Sequence, residues 1–381
     1  MKLAFYIHIP YCIKRCGYCD FNTYTPSELK ITSGMSDISN SYINLALKEI
    51  DLAKAKLNQE ITVGSIFFGG GTPSLMNPTD IARVIAKIST AFNLDKDIEI
   101  TLEVNPDSVD KVKLENFYEA GINRLSLGMQ SSVNHVLKTL DRTHNPDNLQ
   151  KVCAWAKDVG FNQISVDLIY GTPGESMEDW QSSIESALTL PISHISAYAL
   201  IVEPNTKLAA QIKRREIPEI DDDLTAEKYL VADKAFSDAG FSWYELSNWA
   251  KHNSQSRHNL SYWRGENWWG IGPGAHSHLD GERFWNVKHP TTYRNRIEQG
   301  ELPIENSEIL DKVQRESERL MLSIRLTSGI ETNTLNDQQI SGLSSYLKTG
   351  HLNKSDWQSG RATLTVNGRL IADRILREIL L

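Results

Sequence analysis

The feature that most constrains this chain is a run of cysteines close to its start. Tyr6-Ile-His-Ile-Pro-Tyr-Cys-Ile-Lys-Arg-Cys-Gly-Tyr-Cys-Asp-Phe sets Cys12, Cys16 and Cys19 at a C-x3-C-x2-C spacing. Thiolates this close are soft ligands, suited to zinc, copper(I) or an iron–sulfur cluster. A loop that presents them needs a rigid support. The apolar run Leu3–Ile9, ended by Pro10, reads as a strand that delivers it. Structural zinc takes four protein ligands, and a [4Fe–4S] cluster normally takes four cysteines. The remaining cysteine, Cys153, lies far off in a helical pattern, Leu149–Val159, and reads as a small core residue. Three thiolates on a cubane leave one iron open. Two other readings stand beside this one: a redox pair in Cys16-Gly-Tyr-Cys19, and a structural zinc completed by His8.

Composition excludes several classes of function. Of the 381 residues, 40% are hydrophobic and 23% charged, as in an ordinary globular chain. The net charge of -8 leaves no general electrostatic footprint for nucleic acid. No apolar stretch approaches the length of a membrane span. The first residues begin like a signal peptide, but His8, Pro10 and the cysteines interrupt it, so a buried strand is expected. Clustered cysteines without a disulfide framework point to a reducing, cytoplasmic setting.

Downstream, strand and helix signals alternate. Strands are expected at Val63–Phe68, Ile98–Val104, Arg124–Leu127, Gln163–Ile169 and His194–Ile201. Helices are expected at Asn40–Leu57, Pro78–Phe92, Val109–Ala120, Val133–Leu140, Pro146–Val159, Met177–Leu190 and Leu224–Ala239. The polar stretch Thr25–Ser39 reads as a mobile loop. Such alternation implies parallel strands with right-handed crossovers. The expected fold class is therefore α/β, with a partial, six-unit parallel β/α barrel over residues 1–240. A Trp- and His-rich region, 241–309, would pack as an aromatic layer closing the open side. Residues 310–381, with helices, a strand at Ala362–Val366 and a turn signal at Asn367-Gly368, would form a small winged-helix-like α+β cap.

In parallel α/β folds, ligands bind beyond the carboxyl ends of the strands. Here the cysteines follow the first strand and Gly69-Gly70-Gly71-Thr72-Pro73 the second. Glu103-Val-Asn-Pro follows the third, Gly128-Met-Gln130 the fourth (with Arg142 one helix on), Asp167 and Gly171-Thr-Pro-Gly174 the fifth, and Tyr198-Ala199 the sixth. Each element alone reads as a turn or helix start. Together with the cysteine loop they suggest one small-molecule mouth. Glu103 or Asp167 can accept from an amine or ribose hydroxyls, and Arg142 can pair with a carboxylate.

Read in order, Y-x-H-I-P-x-C-x3-C-x2-C, G-G-G-T-P, E-V-N-P, L-S-L-G-M-Q and D-L-I-Y-G-T-P-G resemble the oxygen-independent coproporphyrinogen III oxidase family of radical S-adenosylmethionine (SAM) proteins over nearly the whole chain. The resemblance implies a [4Fe–4S] cluster on Cys12, Cys16 and Cys19, with SAM on the open iron. It also implies a SAM site lined by Tyr6, Gly70, Gly71, Thr72, Glu103, Gln130, Arg142 and Asp167, with Ala199 and His276 at its edge.

Three features resemble the heme chaperone branch of that family rather than the oxidase. The oxidase motif continues to a further cysteine, where this chain has Phe21. The oxidase's N-terminal extension is expected to be absent. His258-Asn259-Leu-Ser-Tyr262-Trp263 matches an H-N-x-x-Y-W motif associated with heme binding in the chaperone branch. His258 is then the first expected heme ligand, with His252 and His276 behind it. Tyr262 and Trp263 would shape the pocket. The resemblance implies heme as cargo, heme-accepting and membrane-associated respiratory proteins as partners, and no nucleic acid; a homodimer is left open. The opposing expectation is an enzyme that decarboxylates the propionates of coproporphyrinogen III by radical chemistry.

Overall fold

The computed structural model describes residues 1–30, 34–57, 59–142 and 145–380. The chain begins with β1 (Lys2–Ile9), α1 (Met35–Lys56), β2 (Thr62–Gly70), α2 (Pro78–Ala91), β3 (Asn93–Val104), α3 (Lys111–Glu119), β4 (Arg124–Gln130), α4 (Asn134–Thr139) and α5 (Pro146–Val159). It continues through β5 (Gln163–Tyr170), α6 (Met177–Leu188), β6 (His194–Ala199), α7 (Lys207–Lys213), α8 (Asp222–Asp238), β7 (Ser242–Glu245), β8 (Asn248–Ala250), α9 (Arg257–Trp263), β9 (Trp268–Ile271), β10 (His276–Leu279) and β11 (Glu282–Asn286). The last elements are α10 (Pro290–Glu298), β12 (Ile304–Ile309), α11 (Lys312–Ser323), β13 (Ile330–Glu331), α12 (Asp337–Lys348), α13 (Lys354–Gln358), β14 (Arg361–Ala362), α14 (Val366–Leu370) and α15 (Ala372–Leu380). Of the expected loop Thr25–Ser39, residues 31–33 lie outside the described residues, and α1 begins earlier than its apolar spacing indicated.

Strands β1 to β6 pair side by side, all parallel and in chain order, as the α/β reading requires. Their sequences explain it. β5 is buried at all but two positions, the near-continuous burial of a strand covered on both faces. The helices between the strands lay apolar stripes on the outer face: Ile81, Val84, Ile85 and Ile88 of α2, and Leu149, Val152, Cys153 and Ala156 of α5, are buried. Gly160 ends α5 in the left-handed conformation at φ 117°.

The aromatic region does not form a separate layer. It continues the sheet from both edges, giving twelve strands in the order β12-β11-β10-β9-β1-β2-β3-β4-β5-β6-β8-β7. β8 and β7 add antiparallel strands beyond β6. β9 adds a parallel strand to β1, and β10, β11 and β12 follow it antiparallel. The short α9 crosses between the two edges and lies against β2.

The C-terminal residues gather a second apolar core, including Leu320, Ile324, Leu343, Leu352, Ile375 and Ile379. Two readings change here. The strand near Ala362 is only Arg361–Ala362, paired with Ile330–Glu331. Asn367-Gly368 is no turn but lies inside α14, which Thr365 caps by accepting from the Gly368 N–H at 3.2 Å. Gly368 is there for close packing: a Cβ would fall 2.0 Å from the His351 carbonyl oxygen. Arg369 ties this segment to α8 through Asp233 at 2.7 and 2.8 Å.

Candidate functional site at the strand ends

The cysteine loop folds back over the carboxyl ends of the parallel strands. Backbone bonds from Cys12 N to Tyr24 O (3.1 Å), Gly17 N to Leu140 O (3.1 Å) and Leu208 N to Gly17 O (2.8 Å) hold it there. Tyr18 anchors it by packing on a cluster containing Val136, Leu140, Ile169, Leu200 and Leu208. All four cysteines are free thiols, and Cys153 is fully buried in the core, as expected. Burial pushes the Cys19 thiol up to about 11 and raises Cys12. Among the described residues, no three His, Cys, Asp or Glu side chains converge closely enough for a single metal ion. A polynuclear cluster spaces its thiolates more widely than one ion does, which suits three cysteines spread along one loop.

The predicted ring assembles around this loop. Thr72 Oγ1 donates to Cys12 Sγ at 3.6 Å, and Arg142 Nη1 to Cys16 Sγ at 3.5 Å. Arg142 also donates to the Gly128 carbonyl at 3.3 Å. Gly70, at φ 109°, needs a conformation that glycine alone adopts freely. At Gly71 the requirement is space, since a Cβ would lie 2.5 Å from the Tyr11 carbonyl oxygen. Gln130 ends β4 at φ 55°, beside an irregularity in its pairing with β5. Ala199 ends β6 opposite Tyr170.

Glu103 accepts from the Gly70 N–H at 3.1 Å. Burial, reinforced by the neighbouring Asp167, pushes its carboxyl up to about 8. Asp167 accepts from Ser126 Oγ at 3.0 and 3.1 Å and is likewise raised by burial. Two neighbouring carboxyls held toward the neutral form make a site that would gain from a bound cation. The Gln130 Oε1 and Arg142 Nε atoms are buried without partners. Such orphans fit a ligand that carries both an ammonium and a carboxylate, as SAM does.

Tyr6 reaches this ring through His8, whose Nδ1 lies 3.0 Å from the Tyr6 hydroxyl and whose Nε2 lies 2.9 Å from the Asn22 carbonyl. A carbonyl only accepts, so Nε2 carries the proton and Nδ1 accepts from Tyr6. With both ring nitrogens engaged, His8 offers no lone pair as a fourth zinc ligand. Sequence reasoning missed Ser126 and Asn22, because a serine within a strand and an asparagine in a loop carry no signal of their own.

The H-N-x-x-Y-W residues lie deeper. His258 is 2% exposed. Its Nδ1 meets Ser65 Oγ at 2.9 Å and its Nε2 meets the Tyr262 hydroxyl at 2.8 Å. Its ring stacks on Phe67 with centroids 5.0 Å apart. Burial lowers it to about 3, so it is neutral and internally bonded. Asn259 donates to Glu245 at 3.0 Å, and Trp263 also bonds Glu245. In this conformation the motif works as internal bracing of the barrel. His276, by contrast, is exposed on β10.

Comparison with known proteins fits this arrangement. The radical SAM superfamily matches residues 6–187. The heme chaperone HemW of Mycobacterium tuberculosis is 41% identical over 376 residues, covering 98% of this chain and 94% of that protein. The chain belongs to the HemW family of radical SAM proteins. HemW of Bacillus subtilis is 33% identical over 331 residues, covering 87% of this chain and 85% of its own length. Coproporphyrinogen III oxidase (HemN) from Escherichia coli, a solved structure, shares the fold at a TM-score of 0.82 and 20% identity, covering 99% of this chain and 89% of that one. Membership in the radical SAM superfamily implies a [4Fe–4S] cluster and SAM as cofactors. When bound, they supply an open iron and redox electrons. Cys12, Cys16 and Cys19, together on the strand-end loop, are the residues that would hold that cluster.

Proposed function

We propose that this chain is a heme chaperone. It binds heme and passes it to acceptor proteins, membrane-associated respiratory proteins among them. Cys12, Cys16 and Cys19 hold the cluster. Tyr6, Gly70, Gly71, Thr72, Glu103, Gln130, Arg142, Asp167 and Ala199 line the SAM site, which supports assembly or transfer rather than turnover. The 41% identity, over 98% of this chain, to a protein named as a heme chaperone carries this reading. Phe21, 64% exposed where the oxidase motif would place a further cysteine, agrees with it. Among the described residues no helix is long and apolar enough to cross a membrane, so membrane-bound acceptors would be met at a surface.

The alternative is oxidative decarboxylation of coproporphyrinogen III, which the intact strand-end ring keeps open. An anaerobic assay separates the two. The cluster is reconstituted and reduced, and SAM and coproporphyrinogen III are added. No porphyrin product from protein with a verified cluster is the expected result. Formation of protoporphyrinogen together with 5′-deoxyadenosine would make the protein an oxidase.

A further inference from the structure

An iron porphyrin needs an accessible imidazole or other axial donor, a flat apolar contact and a cation for its propionates. The described histidines can be sorted by what their rings already do. His8 is engaged on both nitrogens, and so are His194, by Ser165 and Tyr244, and His258. His278 is engaged by the Glu266 carbonyl and the Gly281 N–H. His135 pairs with Asp179, His289 accepts from the Thr291 N–H, and His351 bonds Thr349. Those last three keep one ring nitrogen free, and among the described residues His252 and His276 have rings with no hydrogen bond at all.

Their positions differ. His252 follows β8 next to Lys251, whose N–H bonds the Ser193 carbonyl just before β6 begins. That is the end of the sheet opposite the cysteine loop. His276 lies on the same face as Tyr6 and His8, carried across β9 and β10. Trp285, directly opposite on β11, stacks on the His276 imidazole with centroids 5.7 Å apart and planes 23° apart, which fixes the ring plane. Asn22 brings the cysteine loop to the same rim by donating to the Pro273 and Lys288 carbonyls, each at 2.9 Å. The exposed Phe21 ring sits next to Asn22, and the exposed Lys288 on the same rim carries a cation.

We infer that heme seats on this β10–β11 shelf, with His276 as axial ligand, Trp285 holding its imidazole in plane, Phe21 against the porphyrin and Lys288 toward a propionate. The inference rests on the heme-binding reading above and places the cargo at the rim of the cofactor mouth rather than on the buried His258.

The test is a titration of the full chain with ferric hemin, read by the Soret band and by electron paramagnetic resonance. His276→Ala should lose the imidazole-ligated spectrum and weaken binding by about tenfold or more. Free imidazole should restore the spectrum, which a merely structural role would not allow. His252→Ala should bind as the unmodified chain does. If the unmodified chain binds hemin and His276→Ala gives the same spectrum and affinity, the seat is elsewhere and the chaperone reading survives. If the unmodified chain binds no hemin, both fall.

Discussion

Lys228 of α8 and Glu175 form a buried ion pair, Nζ to Oε2 at 2.8 Å, with both side chains at most 1% exposed. Glu175 closes the turn after β5 by accepting from the Gly171 N–H at 2.9 Å, and Lys228 also donates to the Glu175 carbonyl at 2.7 Å. The pair therefore sets the shape of one wall of the mouth. Lys228→Met would leave a buried carboxylate alone, a loss of about 3–5 kcal/mol. Lys228→Met combined with Glu175→Gln should recover much of that. Chemical denaturation of the three proteins checks it, and equal stability of Lys228→Met and the unmodified chain would refute the coupling.

Glu49 is 1% exposed and accepts from the Gly272 N–H, the Asn286 amide and the Tyr293 hydroxyl at 2.6 to 2.8 Å. Burial, larger than these opposing bonds, raises its carboxyl from 4.5 to about 7. The folded value lies above the unfolded one. Its contribution to stability is thus complete below about pH 4.5 and lost as the pH rises through about 7. Glu49→Gln puts two amide N–H groups among these donors where the neutral acid has one O–H, and should destabilise by about 1–3 kcal/mol near pH 5. Because the mutant does not titrate there, the gap should narrow by pH 8. Urea melts at the two pH values measure it, and a constant gap would rule the coupling out.

Cys16→Ala should abolish cluster assembly, since two thiolates cannot hold a cubane. Iron and sulfide analysis and the brown absorbance report the result. Full retention of the chromophore would remove Cys16 from the ligand set.

Glu103→Ala should weaken SAM binding by about tenfold or more on the cluster-loaded protein, through loss of a charged acceptor. Calorimetry showing unmodified affinity would take Glu103 out of the SAM site.

The parallel half of the sheet was legible because its strands and helices carry opposite periodicities, period two or continuous burial against 3.6. The strand-end cluster was legible because glycine, carboxylate and arginine recur there at positions where packing does not call for them. The edge strands were not. Ile304–Ile309 is almost wholly exposed and polar, and Glu282–Asn286 mixes charge and aromatics, so neither shows an apolar face. That His258, the first expected heme ligand, is buried was not legible for a related reason. A histidine in a motif looks the same in sequence whether its ring faces a ligand or, as here, Ser65 and Tyr262. Asn367-Gly368 misled because glycine serves close packing as readily as turns.

The crossing of α9 has a consequence for traffic. With His258 braced against Ser65 and Glu99 on the lower parts of β2 and β3, the interior is filled from beneath. Access to the carboxylate pair then runs from the cysteine-loop side. On the proposed seating, what sits at the rim would stand above what sits at the bottom, and a cargo on the outer shelf would leave without displacing the inner cofactor.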